Sequence, residues 1–113
     1  MNKRSVYIAG PMTGYSEFNF PAFFDAEEDF RSVGWDVYNP AQHDLEVHRS
    51  IEAVGTAFNK DKDRMLRDCL LWDLSVICDK CDAIAMLPGW ERSYGARAEH
   101  ATAVALGLTI IYL

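Results

Sequence analysis

A chain of 113 residues, half of them apolar, is long enough for one domain with a buried core and too short for two. Its formal charge of −6, from 17 Asp and Glu against 11 Lys and Arg, argues against a nucleic-acid polymer as partner, because that binding runs on basic side chains neutralising phosphates. No apolar run approaches the ~20 residues that cross a bilayer, and Met1-Asn2-Lys3-Arg4 leads into a strand-like segment, not a signal-peptide core, so a cytoplasmic protein with no membrane partner is expected.

Ser5 to Ala9 (SVYIA) reads as a short apolar strand stopped by Gly10-Pro11. Asn19 is placed to cap a helix with Pro21 in its first turn and an apolar stripe of Phe20, Phe23, Phe24, Ala26 and Phe30; Gly34 ends it. Trp35 to Tyr38 is a second strand, closed by Asn39-Pro40. From Ala41 to about Asn59 polarity is mixed and no period is clear, so the stretch reads as a long loop with a turn of helix. Loops of that length in a compact domain usually serve as lids or binding elements.

From about Asp61 the pattern is helical, with Met65, Leu70, Leu71, Leu74, Ile77 and Cys78 facing inward and Asp68 and Asp73 among them. Asp82 to Leu87 (DAIAML) is the nearly continuous apolar run of a buried parallel strand, ended by Pro88-Gly89. An alanine-rich helix from about Ser93 to Leu106 follows, Gly107 caps it, and Leu108 to Leu113 (LTIIYL) is a last apolar strand. Strands alternating with helices imply right-handed crossovers. The expected fold is α/β, a three-layer Rossmann-like (flavodoxin-like) sandwich around a parallel sheet of four to five strands.

Cys69, Cys78 and Cys81 fit a reducing compartment. Cys78 and Cys81 form a C-x-x-C that a redox or zinc site could use, with His43, His48 or His100 as further ligands. Without a second C-x-x-C or paired histidines, structural thiols are the better reading, and no metal or other cofactor is expected.

In such a sheet ligands sit outside the carboxyl ends of the strands. The turn Gly10-Pro11-Met12-Thr13-Gly14, the turn Pro88-Gly89-Trp90 and the helix start Ser93-Tyr94-Gly95 would meet there, offering backbone N–H groups and the Thr13 and Ser93 hydroxyls to a phosphate or a sugar. The dinucleotide, P-loop and nucleophile-elbow patterns are absent. Glu99 lies about one turn into its helix, where the macrodipole favours the ionised form. Its face is shared with Gly95 and Ala103, which leaves the carboxylate clear of large neighbours. The spacing alone also fits a plain surface glutamate.

The strings Y-I-A-G-P-M-T-G at 7–14, D-L-x-x-I-C at 73–78, C-D-A-I-A-M-L-P-G-W at 81–90 and S-x-G-A-R-A-E-H-A-x-A at 93–103 resemble the nucleoside 2-deoxyribosyltransferase-like superfamily, and more closely its small uncharacterised DUF4406 branch. The similarity covers almost the whole chain and extends to the 2'-deoxynucleoside 5'-phosphate N-hydrolases. It implies that Glu99 is the nucleophile at the anomeric carbon, that Asp73 protonates or positions the leaving base, and that Tyr7 orients Glu99. From the hydrolase branch it further implies that Ser93, Gly95 and the turn of Gly10, Pro11, Met12, Thr13 and Gly14 hold the 5'-phosphate. Asp68 is the rival for the second acid; it lies roughly 140° from Asp73 around a helix of 3.6 residues per turn, so only one of them can face the crevice.

Breaking an N-glycosidic bond builds positive charge on the sugar, which one carboxylate traps while a second acid assists the base, as in glycosidases. The sequence departs from the superfamily at Arg97, where a glycine is common, and at Thr13, where the hydrolases carry an arginine. Transferases complete each site with a neighbour's C-terminal tail, so a homo-oligomer is implied; the last strand here runs to Leu113, which favours hydrolysis over transfer. The expectation is therefore an N-glycosidase or deoxyribosyltransferase-like enzyme. The alternatives are a nucleotide-ligand binder without catalysis and an assembly protein using aromatics such as Trp90.

Overall fold

The sheet is built around β1 (Ser5–Ala9), which pairs in parallel with β2 (Asp36–Tyr38) on one side and β3 (Ala83–Met86) on the other; β4 (Thr109–Tyr112) then completes the order β2-β1-β3-β4. This is a computed structural model that describes residues 3–113. Met1 and Asn2, part of the stretch read for a leader, lie outside them. Helices α1 (Phe20–Ser32), α2 (Pro40–His48), α3 (Ile51–Lys60), α4 (Lys62–Lys80) and α5 (Tyr94–Leu106) connect the strands.

Alternation along the strands divides the interior into two layers. Val6, Ile8, Ala83 and Ala85 face one way and pack with Phe20, Phe23 and Ala26 of α1. Tyr7, Ala9, Ile84 and Met86 face the other way and pack with Val76 and Ile77 of α4 and Ala96 and Ala103 of α5. The small Ala96 and Ala103 let α5 lie close to the sheet. Helices on both faces of a four-stranded parallel sheet make a Rossmann-like three-layer α/β fold, as the strand and helix alternation predicts. Among the described residues no helix is long and apolar enough to cross a membrane.

The stretch expected as a loop from 41 to 59 is instead two helices. Asn39 caps α2 by accepting from the Ala41 amide at 2.9 Å, with Pro40 at the first helical position; Ser50 caps α3 by accepting from the Ala53 amide at 3.0 Å. Arg49 takes a left-handed φ of 75° between them. Weak amphipathy hides α2, while its caps define it.

Three smaller expectations also change. Asn19 precedes α1, yet its side chain does not cap it; Asn19 is left-handed and its amide donates to the Pro11 carbonyl at 3.0 Å, tying the loop after β1 to the start of α1. In α4 the buried residues are Met65, Asp73, Val76 and Ile77, whereas Leu71 and Cys78 face solvent. The last strand is short and only half-buried, because β4 is a sheet edge.

Candidate active site

Tyr7 sits in the middle of β1, on the face covered by α4 and α5, and is completely buried. Its hydroxyl donates to Glu99 Oε2 at 2.8 Å. Glu99 reaches this position because α5 starts at Ser93, whose Oγ accepts from the Ala96 amide at 3.2 Å, and the first turns then carry position 99 inward. The carboxyl is only 5% exposed. A side chain at Gly95, one turn before, would meet nothing within 4 Å, and Ala103, one turn after, is fully buried. The strip beside Glu99 is therefore clear on its outer side and tightly packed on its inner side.

Asp73 comes from α4 and is 8% exposed. Its carboxyl lies close enough to Glu99 and to the Tyr7 hydroxyl to shift the titration of both, so the three side chains form one electrostatically linked group. Asp68 points away to solvent and is held by Arg64 at 2.8 Å, so of the two candidate acids only Asp73 faces Glu99. The inward spacing of four from Met65 through Cys69 and Asp73 to Ile77 explains the choice, since residues four apart share a helix face.

A third carboxyl belongs to this neighbourhood. Asp44 on α2 is 6% exposed and makes no hydrogen bond among the described residues, and its charge reaches Glu99 and Cys69 as well as Asp73. Residue patterning carries no hint of it, because the segment reads as loop. Its neighbour His43 lies flat on Trp72, the residue before Asp73, with ring centroids 3.8 Å apart and planes within 4°. That stack fixes α2 against α4, and so Asp44 beside Asp73.

Burial pushes all three acids toward the protonated form. Asp73 is raised to about 6, chiefly by loss of solvent. Glu99 is raised well above the carboxylate range by burial and by Asp73, with the Tyr7 hydrogen bond opposing. Asp44 is raised to about 7 by burial and by the charge of Asp73. No Lys or Arg of the described residues forms an ion pair with any of them. The two titrations are linked, and between their raised values Asp73 and Glu99 together hold one proton and present one acid and one carboxylate. The same charges and burial push the Cys69 thiol up to about 12, which leaves it inert.

The residues expected to hold the 5' end divide into two groups. Pro11 is buried and Met12 packs with the core on the α1 face, so both serve packing. Gly10 is required by close approach, because a Cβ there would lie 2.7 Å from Leu87 Cβ. Thr13 and Gly14 are exposed at the loop tip, Gly14 with φ of 86°. Gly89 brings the second turn against this loop: a Cβ on it would lie 2.7 Å from the Tyr15 hydroxyl and 3.4 Å from Pro11 Cγ. Ser93 spends its hydroxyl on the helix cap.

Other features are accounted for locally. Trp90 stacks on His100 at 4.2 Å, and His100 hydrogen-bonds the Tyr112 hydroxyl at 2.9 Å, so the Trp90 face is already occupied. Cys78 is exposed and Cys81 buried, and no three His, Cys, Asp or Glu side chains of the described residues are grouped to hold a metal ion. A groove of about 470 Å³ lies on the opposite face of the sheet, between α1 and the end of β4, lined by Ala22, Ala26, Phe30, Leu87 and Leu113. It contains none of the three buried acids.

Over residues 4–112 the sequence matches the family described as Domain of unknown function (DUF4406). With nearly its whole length matched, the chain belongs to that family. No curated protein matches it.

Proposed function

We propose that this protein cleaves the N-glycosidic bond of a nucleoside or nucleoside 5'-monophosphate, with Glu99 as nucleophile and Asp73 as the acid that serves the leaving base. The observation that carries this reading is the buried group itself: Tyr7 Oη 2.8 Å from Glu99 Oε2, with the buried Asp73 carboxyl beside them. A pair of buried carboxyls without a cation is costly to a fold, and such strongly perturbed groups cluster at functional sites. The resemblance to the nucleoside 2-deoxyribosyltransferase-like superfamily supplies the substrate class and falls on the same three residues.

The reaction follows from one proton shared by two acids. At rest the shared proton lies on Glu99, the more strongly raised of the two; in the reactive tautomer it has passed to Asp73, and the Glu99 carboxylate attacks the anomeric carbon. The C–N bond breaks, its electron pair goes to the base nitrogen, and Asp73 delivers its proton there. A glycosyl ester of Glu99 remains. Water then attacks the anomeric carbon, gives its proton to Asp73, and frees both the sugar and the Glu99 carboxylate; a second base in place of water gives transfer. Tyr7 holds Glu99 by its ionised oxygen and lowers the cost of the carboxylate form in a dry site.

Thr13, Gly14 and the start of α5 at Ser93 and Gly95 would receive the 5' end of the sugar, at the positive end of the helix. Exposed Leu71 of α4 and Val104 and Leu106 of α5 provide apolar surface for a homo-oligomer. The test is chromatographic detection of free base from nucleosides and their 5'-monophosphates. Release by the wild type that is lost in Glu99→Gln and in Asp73→Asn supports the enzyme. A ligand-dependent rise in Tm with no base released would support the second reading, a binder without catalysis.

A further inference from the structure

Asp44 is a buried acid that neither the fold nor the reaction above employs. It has no hydrogen-bond partner among the described residues, and it is not sealed: no buried side-chain nitrogen or oxygen wholly shut off from solvent lacks a partner in the described structure, so the unpaired Asp44 oxygens keep contact with open space. An aliphatic residue would fill this place at lower cost. The carboxyl is held in place from outside by the flat His43–Trp72 stack, which ties its helix to the helix of Asp73.

Topology gives its direction. Glu99 arrives on α5, which follows β3, and Asp44 arrives on α2, which follows β2; these strands flank β1 on opposite sides. Asp73 on α4 interacts with both acids. A substrate whose anomeric carbon meets Glu99, and whose leaving group meets Asp73, therefore extends that leaving group toward Asp44.

We propose that Asp44 is a specificity-determining residue that selects nucleobases carrying an exocyclic amino group over their oxo counterparts; this rests on the glycosidase reading above. A carboxylate oxygen accepts a hydrogen bond from an amino group, as acids do when they read the cytosine N4 amino group, and the adenine N6 amino group offers the same donor. A carbonyl oxygen of an oxo base brings only lone pairs to the same place, and the desolvated carboxylate is left unpaired against it.

The experiment compares kcat/KM for two substrate pairs on the alkaline side of neutrality, where Asp44 is ionised: deoxyadenosine against deoxyinosine and deoxycytidine against deoxyuridine. The wild type should favour the amino member of each pair it cleaves by at least about tenfold. Asp44→Asn, whose amide can either accept or donate, should bring the ratio within about twofold while base release continues. Equal use of both members by the wild type overturns the inference and needs no variant to do so. A preference retained in a folded Asp44→Asn protein also overturns it. Both results differ from failure of the glycosidase reading, in which no base is released from any of the four substrates and the inference falls with it.

Discussion

The Tyr7 hydroxyl and the Glu99 carboxyl, 92 positions apart in sequence, meet at 2.8 Å inside the protein. This bond stabilises the charged form of Glu99 against burial and against Asp73, both of which favour the protonated one. Tyr7→Phe removes the donor and nothing else of that size. Base release should fall about 10²-fold, the loss typical of one well-placed donor. The acidic limb of the pH–rate profile should also move to higher pH, because Glu99 becomes harder to ionise. An unchanged profile in Tyr7→Phe would mean that this hydrogen bond has no part in the chemistry.

The buried acids set a pH dependence of stability opposite to that of most carboxylates. Asp44 and Asp73, ordinarily near 3.8, are raised to about 7 and about 6 in the folded protein. Each therefore binds its proton more tightly in the native state than in the unfolded chain. Their contribution is complete below about pH 4 and is lost as pH rises toward the folded values of about 6 to 7. Asp44→Asn and Asp73→Asn should each raise Tm by about 3–6 °C on the alkaline side of neutrality. The advantage should shrink on acidification through this window. Thermal melts against pH check it, and an advantage that stays constant from acid to alkaline pH would contradict the assignment.

Gly10 lies where β1 passes closest to the end of β3. A Cβ there would stand 2.7 Å from Leu87 Cβ, and neither backbone can give way without disturbing the sheet. Gly10→Ala should cost about 1–3 kcal/mol by overpacking, read as a lower midpoint in a urea titration. No change in midpoint would show that the approach is looser than described.

Asn39 joins three elements. Its Oδ1 accepts from the Ala41 amide at 2.9 Å, while its Nδ2 donates to Glu27 Oε1 at 2.9 Å and to the Phe23 carbonyl at 3.4 Å. Asn39→Ala removes the cap of α2 and should cost about 1–2 kcal/mol. It should also raise KM for an amino base more than for an oxo base, since α2 carries Asp44. Equal losses for the two bases would separate the cap from specificity.

Asn39 also marks where sequence patterning stops short. The dipeptide Asn39-Pro40 closes a strand and opens a helix with equal propriety, and the mixed polarity that follows conceals α2 because it touches the core through only Pro40, Ala41, Asp44 and partly buried Leu45. The strands and α5 were legible because continuous apolar runs end at Gly10-Pro11, Pro88-Gly89 and Gly107, where the backbone turns. In the sequence the resemblance points to Tyr7, Asp73 and Glu99, and only the cleared face at 99 adds physical support. Asp44 was illegible, since an acid in an apparent loop carries no spacing signal. Leu71 departs from the expected inward stripe for a related reason: the inward face of α4 admits an acid at 73 and leaves a leucine outside.

The proposed mechanism requires a covalent bond between Glu99 and a sugar. The most direct measurement is intact-protein and peptide mass spectrometry after incubation with a 2'-fluorinated nucleoside, whose sugar slows breakdown of a glycosyl ester. The expected result is a mass increase of one fluorinated sugar on the peptide containing Glu99, with one equivalent of base released and no adduct in Glu99→Gln. Base released with the adduct on another residue, or no adduct and no base from any nucleoside offered, would contradict it.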